Sequence, residues 1–304
     1  MPRANPSGRL SLRRLFAAVC LVGAALAVAP PVAAQAVGCL PVAQGPGPGP
    51  MMRARFSPPG PGAPWSRPPR PMVRVQAILG APPPAGSVEL SYLGHSSYLI
   101  RTPEGVSAIT DYNGYVRTAL PPDIVTMNHA HETHYTDFVE PGITHALRGW
   151  VTAEGGYPRH DVTLRDLRVR NVATNIRGLG GGMEVAGNSI FIFETNGLCI
   201  VHLGHLHHQL TAAHLARIGA VDILLVPIDD GMTMAQAEFA QVIKALAPRV
   251  VMPMHYFGPT LVDRFLDLMR GQGYRARFHP SPTIRFTKRN LPRRTVVVLS
   301  GGGD

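Results

Sequence analysis

Three histidines fall within six residues, His129, His131 and His134, directly after an apolar run at residues 122–128 that reads as a buried strand. Histidines two apart on extended backbone can converge on one ion, each offering a neutral imidazole nitrogen at roughly 2.0–2.1 Å from zinc. Glu132 and Thr133 separate the third, which turns back toward the same centre if a helix starts there. The motif therefore places a candidate metal site where a strand ends. A solvated polar loop is the other reading of the same residues.

Charge and length bound what such a site serves. The chain has 304 residues, 45% of them apolar, enough for a large core in one or two domains. A formal net charge of +10 suggests nucleic acid until it is located. Residues 1–90 hold nine of the 29 Lys and Arg but one of the 19 Asp and Glu, which leaves 20 against 18 for the rest. The basicity belongs to the leader and linker, and nucleic acid is rejected as the main partner.

Residues 1–36 have the order of a signal peptide. Arg3, Arg9, Arg13 and Arg14 precede an apolar stretch at 15–29, and Ala34-Gln35-Ala36 supplies small residues for cleavage. The apolar stretch is too short to span a bilayer, and Pro30-Pro31 ends it, so no transmembrane helix is expected in the mature chain. The arginine pair resembles part of a twin-arginine signal, without the usual preceding serine. Ala36-Val37-Gly38-Cys39 lacks the large aliphatic residue of a lipoprotein site. The expected location is periplasmic or secreted. Residues 37–86 form a Pro/Gly-rich linker, with 14 of the 30 prolines between 41 and 86. Cleavage leaves Cys39 and Cys199, either paired or with Cys199 a plain core residue. There is no Cys-x-x-Cys, so a thiolate zinc site is not expected.

The globular domain is assigned to residues 87–304. Short strands are predicted at 88–93, 97–101, 106–110, 189–194, 198–201, 223–226 and 250–254, punctuated by Gly94 and Pro103-Glu104-Gly105. Thr233 is the predicted cap of a helix over 234–246. Thr260 and Asp263 suggest a capping box for a helix over 261–270, stopped by Gly271. A meander followed by alternating strands and helices indicates two sheets covered by helices.

Two more histidine clusters sit at strand ends. His202, His205, His207 and His208 follow an apolar strand, with Gly204 permitting a tight turn, and His255 with Tyr256 ends another. The order of motifs resembles the metallo-β-lactamase-fold hydrolases, in particular the L-ascorbate-phosphate lactonase-like branch. The matching pieces are Leu93-Gly94-His95-Ser96-Ser97-Tyr98, Thr110-Asp111-Tyr112, the His129/His131/His134 motif, His202-Leu203-Gly204, Val226-Pro227-Ile228-Asp229 and Pro253-Met254-His255-Tyr256. The resemblance implies an α+β four-layer αββα sandwich with the metal site at one edge of its two sheets.

It also exposes departures. The family's His-x-His-x-Asp-His carries Thr133 in place of the aspartate, and its bridging aspartate after His-Leu-Gly is replaced by His205. A further family histidine has no counterpart near Thr174-Asn175. With two carboxylates missing, the expectation is a mononuclear site of His129, His131, His205 and His255. The ion is most simply zinc, with manganese, iron or copper as alternatives. His134 and Tyr256 are the candidate catalytic residues. His95, Asp111, Thr133 and His202 are assigned to orienting the ligands. Asp229 and Asp230 fit a solvated turn or a pocket rim. The implied activity is hydrolysis of a small-molecule ester, lactone, amide or phosphodiester. A catalytically impaired metal- or ligand-binding protein on the same fold is the alternative, and oligomeric state stays open.

Overall fold

The structure, a computed structural model, describes Cys39 and residues 80–152, 155–178 and 181–301. The signal segment, and the linker apart from Cys39 and 80–86, lie outside the described residues. A six-stranded sheet runs in the order β13 (Thr283–Thr287), β1 (Ser87–Gly94), β2 (Ser97–Arg101), β3 (Ser107–Ile109), β4 (Ile124–Met127) and β5 (His145–Arg148). An eight-stranded sheet runs β12 (Arg275–His279), β14 (Thr295–Leu299), β11 (Val250–Met254), β10 (Ile223–Pro227), β9 (Leu198–His202), β8 (Met183–Thr195), β7 (Leu167–Arg177) and β6 (Asp161–Leu164). Both are mixed. β3 to β5 are parallel in the first, and β9, β10, β11, β14 and β12 are parallel in the second.

The period-two pattern of the strands explains the layering. In β8 and β10, Phe191, Phe193, Ile223 and Leu225 face the first sheet's Val88, Leu90 and Ile100. Ile190, Ile192, Leu224 and Val226 face the other way, onto α1 (Ala212–Ile218), α2 (Gln236–Leu246) and α3 (Pro259–Gly271) through Ile218, Phe239 and Phe265. These strands are covered on both faces, which is why they read as unbroken apolar runs. Each fully buried Phe or Leu contributes roughly 1.5–3 kcal/mol. The outer face of the six-stranded sheet, with Leu99, Ile109 and Val125, is covered by Val116, Tyr135, Val139 and Ile143 from irregular segments, which carry no helix among the described residues.

Several local expectations are corrected. Thr233 does not cap α2; its hydroxyl bonds Asp229, while Asp230 accepts from the Gln236 amide and Glu238 from that of Ala235. Thr260 lies inside α3, whose N-cap is Gly258 with proline at the first position. Gly271 is the last residue of α3, and the positive φ falls on Gly273, at 80°. β7 was not predicted, because its alternation of apolar with arginine and asparagine side chains reads as polar; it pairs with β8 over ten residue pairs.

Cys39 and Cys199 form a disulfide, which resolves the two readings of that pair. It ties a linker residue to β9. At the other end of the linker, residues 80 and 81 are held by hydrogen bonds from Arg101 to their carbonyls, and the Ser87 hydroxyl bonds that of Pro84.

Candidate metal centre

The parallel strands β9, β10 and β11 deliver their C-terminal ends to one edge, where β4 and the β1–β2 turn also finish. Each end carries a histidine or an aspartate: His129 after β4, His95 in the β1–β2 turn, His202 and His205 at β9, Asp229 after β10 and His255 after β11. Ring centroids lie 4.4 Å apart for His95 and His255, 5.0 Å for His95 and His134, and 5.2 Å for His134 and His255. One ligand atom from each of these three falls within 4.8 Å of the others, the one such grouping among the described residues.

Hydrogen bonds fix the tautomers. The Nδ1–H of His134 donates to the Asp111 carboxylate at 2.5 Å, leaving Nε2 bare. The Nδ1–H of His255 donates to Asp229 at 2.8 Å, again leaving Nε2 bare. Carboxylate-backed imidazoles of this kind are oriented and made more basic as metal ligands. The Nδ1 of His95 is buried without a hydrogen-bond partner. A bare buried nitrogen beside two others is costly unless a cation or proton joins them, so the donor set suits a transition ion.

Burial, with the neighbouring His255 and His134 adding to it, pushes His95 down to about 3. Burial, then the surrounding imidazoles, also holds His134 well below the ordinary histidine value and takes His205 to about 2. These rings are neutral at pH 7, the form that binds metal. Burial acts to raise Asp229, but hydrogen bonds from His255 and Thr233 outweigh it and keep the carboxyl below its usual range. Burial raises Asp111, against the pull of His202 and His95.

The backbone shares in the construction. His95, Asp111, Asp230 and His255 all take left-handed conformations, at φ 51°, 51°, 63° and 52°. Each costs of order 1 kcal/mol or more for a residue with a side chain, and such residues gather where the surroundings enforce them. The His255 amide bonds the His95 carbonyl at 2.7 Å, and the Tyr92 hydroxyl bonds that same carbonyl. Gly204, at φ 61°, passes over two asparagines: an added Cβ would press on Asn188 and stand 2.8 Å from Cβ of Asn128.

The predicted residues fall into place unevenly. His255 belongs to the tight trio. His205 adjoins it, its Nδ1 3.1 Å from Nε2 of His134, with Nε2 3.2 Å from the Met232 carbonyl. His129, fixed by a bond between its Nδ1 and the Gly187 carbonyl, lies 5.2 Å from His205 by ring centroid. His131 is exposed at the rim, 6.0 Å from His134, its Nδ1 bonded to Thr133 Oγ1. His95, assigned from sequence to orientation, and His134, assigned to catalysis, are instead both members of the trio. His202 spends both nitrogens on protein, Nε2 on the Ser96 carbonyl and Nδ1 on the Gly204 amide, so it ties two site turns together. For Tyr256, a candidate catalytic residue or a core side chain by sequence, the structure shows the packing. Its ring stacks on Tyr92 in the core and lines a cavity of about 260 Å³ with Pro259, Val262 and Val298. Asp229, read as a turn residue, is the buried partner of His255; its place directly after an apolar strand was the available signal.

Comparison with known proteins agrees with the fold. Residues 89–255, more than half of the chain, match the family described as the beta-lactamase superfamily domain. The UPF0173 metal-dependent hydrolase of Methanosarcina barkeri is 24% identical over 191 residues, covering 56% of this chain and 83% of the relative. That of Lysinibacillus sphaericus is 26% identical over 213 residues, covering 60% and 93%. A Thermotoga maritima structure of the metallo-beta-lactamase superfamily superposes with a TM-score of 0.50. It is 23% identical and covers 70% of this chain and 99% of that one, a likeness of fold.

Proposed function

Because the chain belongs to the beta-lactamase superfamily, as a metal-dependent hydrolase, we propose that it is an exported enzyme with one transition ion held by His95, His134 and His255. The observation that carries this reading is the convergence of two carboxylate-backed imidazoles with a third whose Nδ1 is buried without a partner. His205 stands beside the trio as a fourth ligand. Zinc suits neutral imidazoles, and the same donors accept manganese, iron or copper. When bound, such an ion polarises a carbonyl or phosphoryl oxygen and lowers the pKa of water.

The chain's own residues do the rest. Asp111 and Asp229 hold the Nδ1 protons of His134 and His255 and so aim their free nitrogens. His129, whose Nδ1 is held by the Gly187 carbonyl so that Nε2 is left for a proton, is the neutral base near the trio, able to take the proton that water loses when its oxygen adds to the substrate. The bond to the leaving group then breaks, and the leaving oxygen or nitrogen takes up the proton. Thr133 and His205 stand where the family places carboxylates, which supports one ion rather than two.

Export is part of the proposal. The order of segments in residues 1–36 supports it, and so does the Cys39–Cys199 disulfide, since such bonds persist in oxidising compartments. Among the described residues, no helix is long and apolar enough to cross a membrane. Hydrolysis of an activated ester by protein stripped with a chelator and reconstituted with zinc tests the activity. Turnover that returns with the metal supports it; stoichiometric metal without turnover of esters, lactones or phosphodiesters would make this a metal-binding protein instead.

A further inference from the structure

Large apolar side chains stand in solvent on the loops around the histidines. Phe257 is 51% exposed, with its ring centroid 5.8 Å from that of His255 and 6.3 Å from that of His95. Met232 is 56% exposed, and its carbonyl lies 3.2 Å from Nε2 of His205 and 2.9 Å from Nε2 of His207. His205 and His255, which these two residues adjoin, have rings 5.6 Å apart. Tyr115, 62% exposed, follows Asn113, whose amide donates to the Thr133 carbonyl in the histidine loop. One exposed apolar residue is ordinary on a surface; three on separate loops around one polar cluster make a recognition feature.

The charges nearby point the same way. Arg177 is committed to the carbonyls of Gly231 and Thr233, Arg264 is paired with Asp230, and Arg117, exposed on the loop of Tyr115, bonds the Gly114 carbonyl through Nε. Glu132 is exposed in the histidine loop. Beside His205 and His255 the surroundings therefore offer contact to hydrocarbon, with Arg177 and Arg264 already spent on protein partners, which favours an acyl substrate over a phosphodiester.

We propose that Phe257, Met232 and Tyr115 form an apolar rim that seats the hydrophobic acyl chain of an ester, lactone or amide. The substrate class deepens the hydrolytic reading above and rests on it. Each buried methylene is worth about fourfold, so covering two or three of the six methylenes that distinguish octanoate from acetate is worth roughly 15- to 60-fold.

The test compares kcat/KM of the zinc-loaded protein for p-nitrophenyl octanoate and p-nitrophenyl acetate. A preference above tenfold is expected, reduced severalfold by Phe257→Ala and by Met232→Gln and largely kept by Phe257→Leu. A ratio near one, or a ratio that neither variant moves, would overturn the rim. Calorimetric binding of octanoate and acetate separates the two readings. Octanoate bound at least tenfold more tightly, and weakened by Phe257→Ala, supports the rim even where no ester is turned over. Equal binding of the two acids overturns it.

Discussion

The Asp111 carboxylate accepts a hydrogen bond from the Nδ1–H of His134 at 2.5 Å, from a position where the aspartate is fully buried and in a left-handed backbone conformation. This pair decides which nitrogen of His134 faces the trio. Asp111→Asn keeps the shape but removes the charge that orients and enriches the ring. We expect zinc affinity to fall about 10- to 100-fold, measured by competition with a chelating dye, with the far-ultraviolet dichroism unchanged. An affinity equal to that of the parent would show that the pair does not serve the ion.

Gly204 allows the β9 strand to turn over Asn128 and Asn188 and deliver His205, whose amide bonds Asn188 at 2.7 Å. Gly204→Ala meets both the positive φ and the two side chains. A loss of about 2–3 kcal/mol in urea unfolding is expected, together with weaker metal binding. A neutral substitution would mean that the turn adapts freely.

The disulfide joins residues 160 apart in sequence. In the chain-entropy picture a loop of that length contributes on the order of 4–5 kcal/mol. Cys39→Ser, or reduction of the parent, should lower the urea midpoint accordingly and leave zinc stoichiometry intact, because the bond lies at the start of β9 and the site at its end. An unchanged midpoint would show that the link carries no load.

Acid should destabilise the metal-free protein early. His95 and His205 have folded-state values of about 3 and about 2, below the 6.5 of an unconstrained histidine. The unfolded chain therefore binds protons first, and their contribution, full above pH 6.5, is lost as the pH falls from there toward 3. Asp229, held low, acts in the same sense below the carboxylate range, while Asp111, raised by burial, acts in the opposite one. Urea titrations of metal-free protein at pH 7, 5.5 and 4.5 should give steadily falling stability. A flat profile would contradict the depressed values.

The sequence made the frame legible because doubly covered strands such as β9, β10 and β11 are unbroken apolar runs ending in a histidine or an aspartate. The gathering of histidines at one sheet edge followed from those ends. The inner arrangement did not, because it depends on tertiary register. His95 and His134 join His255 through the β1–β2 turn and the Asp111 bond, and neither contact has a signature in local spacing. Tyr256 alternates away from His255 into the core, and adjacency in sequence leaves core packing and a place at the site equally open. The helix caps failed for a similar reason: Thr233 is spent on Asp229 and so is unavailable to α2.

Metal content of untagged protein tests the central claim most directly. Close to one zinc per chain is expected, lost in His95→Ala and in His134→Ala and retained in His131→Ala, whose ring lies at the exposed rim. Two tightly held ions, or an ion lost with His131→Ala and kept with His95→Ala, would contradict the account.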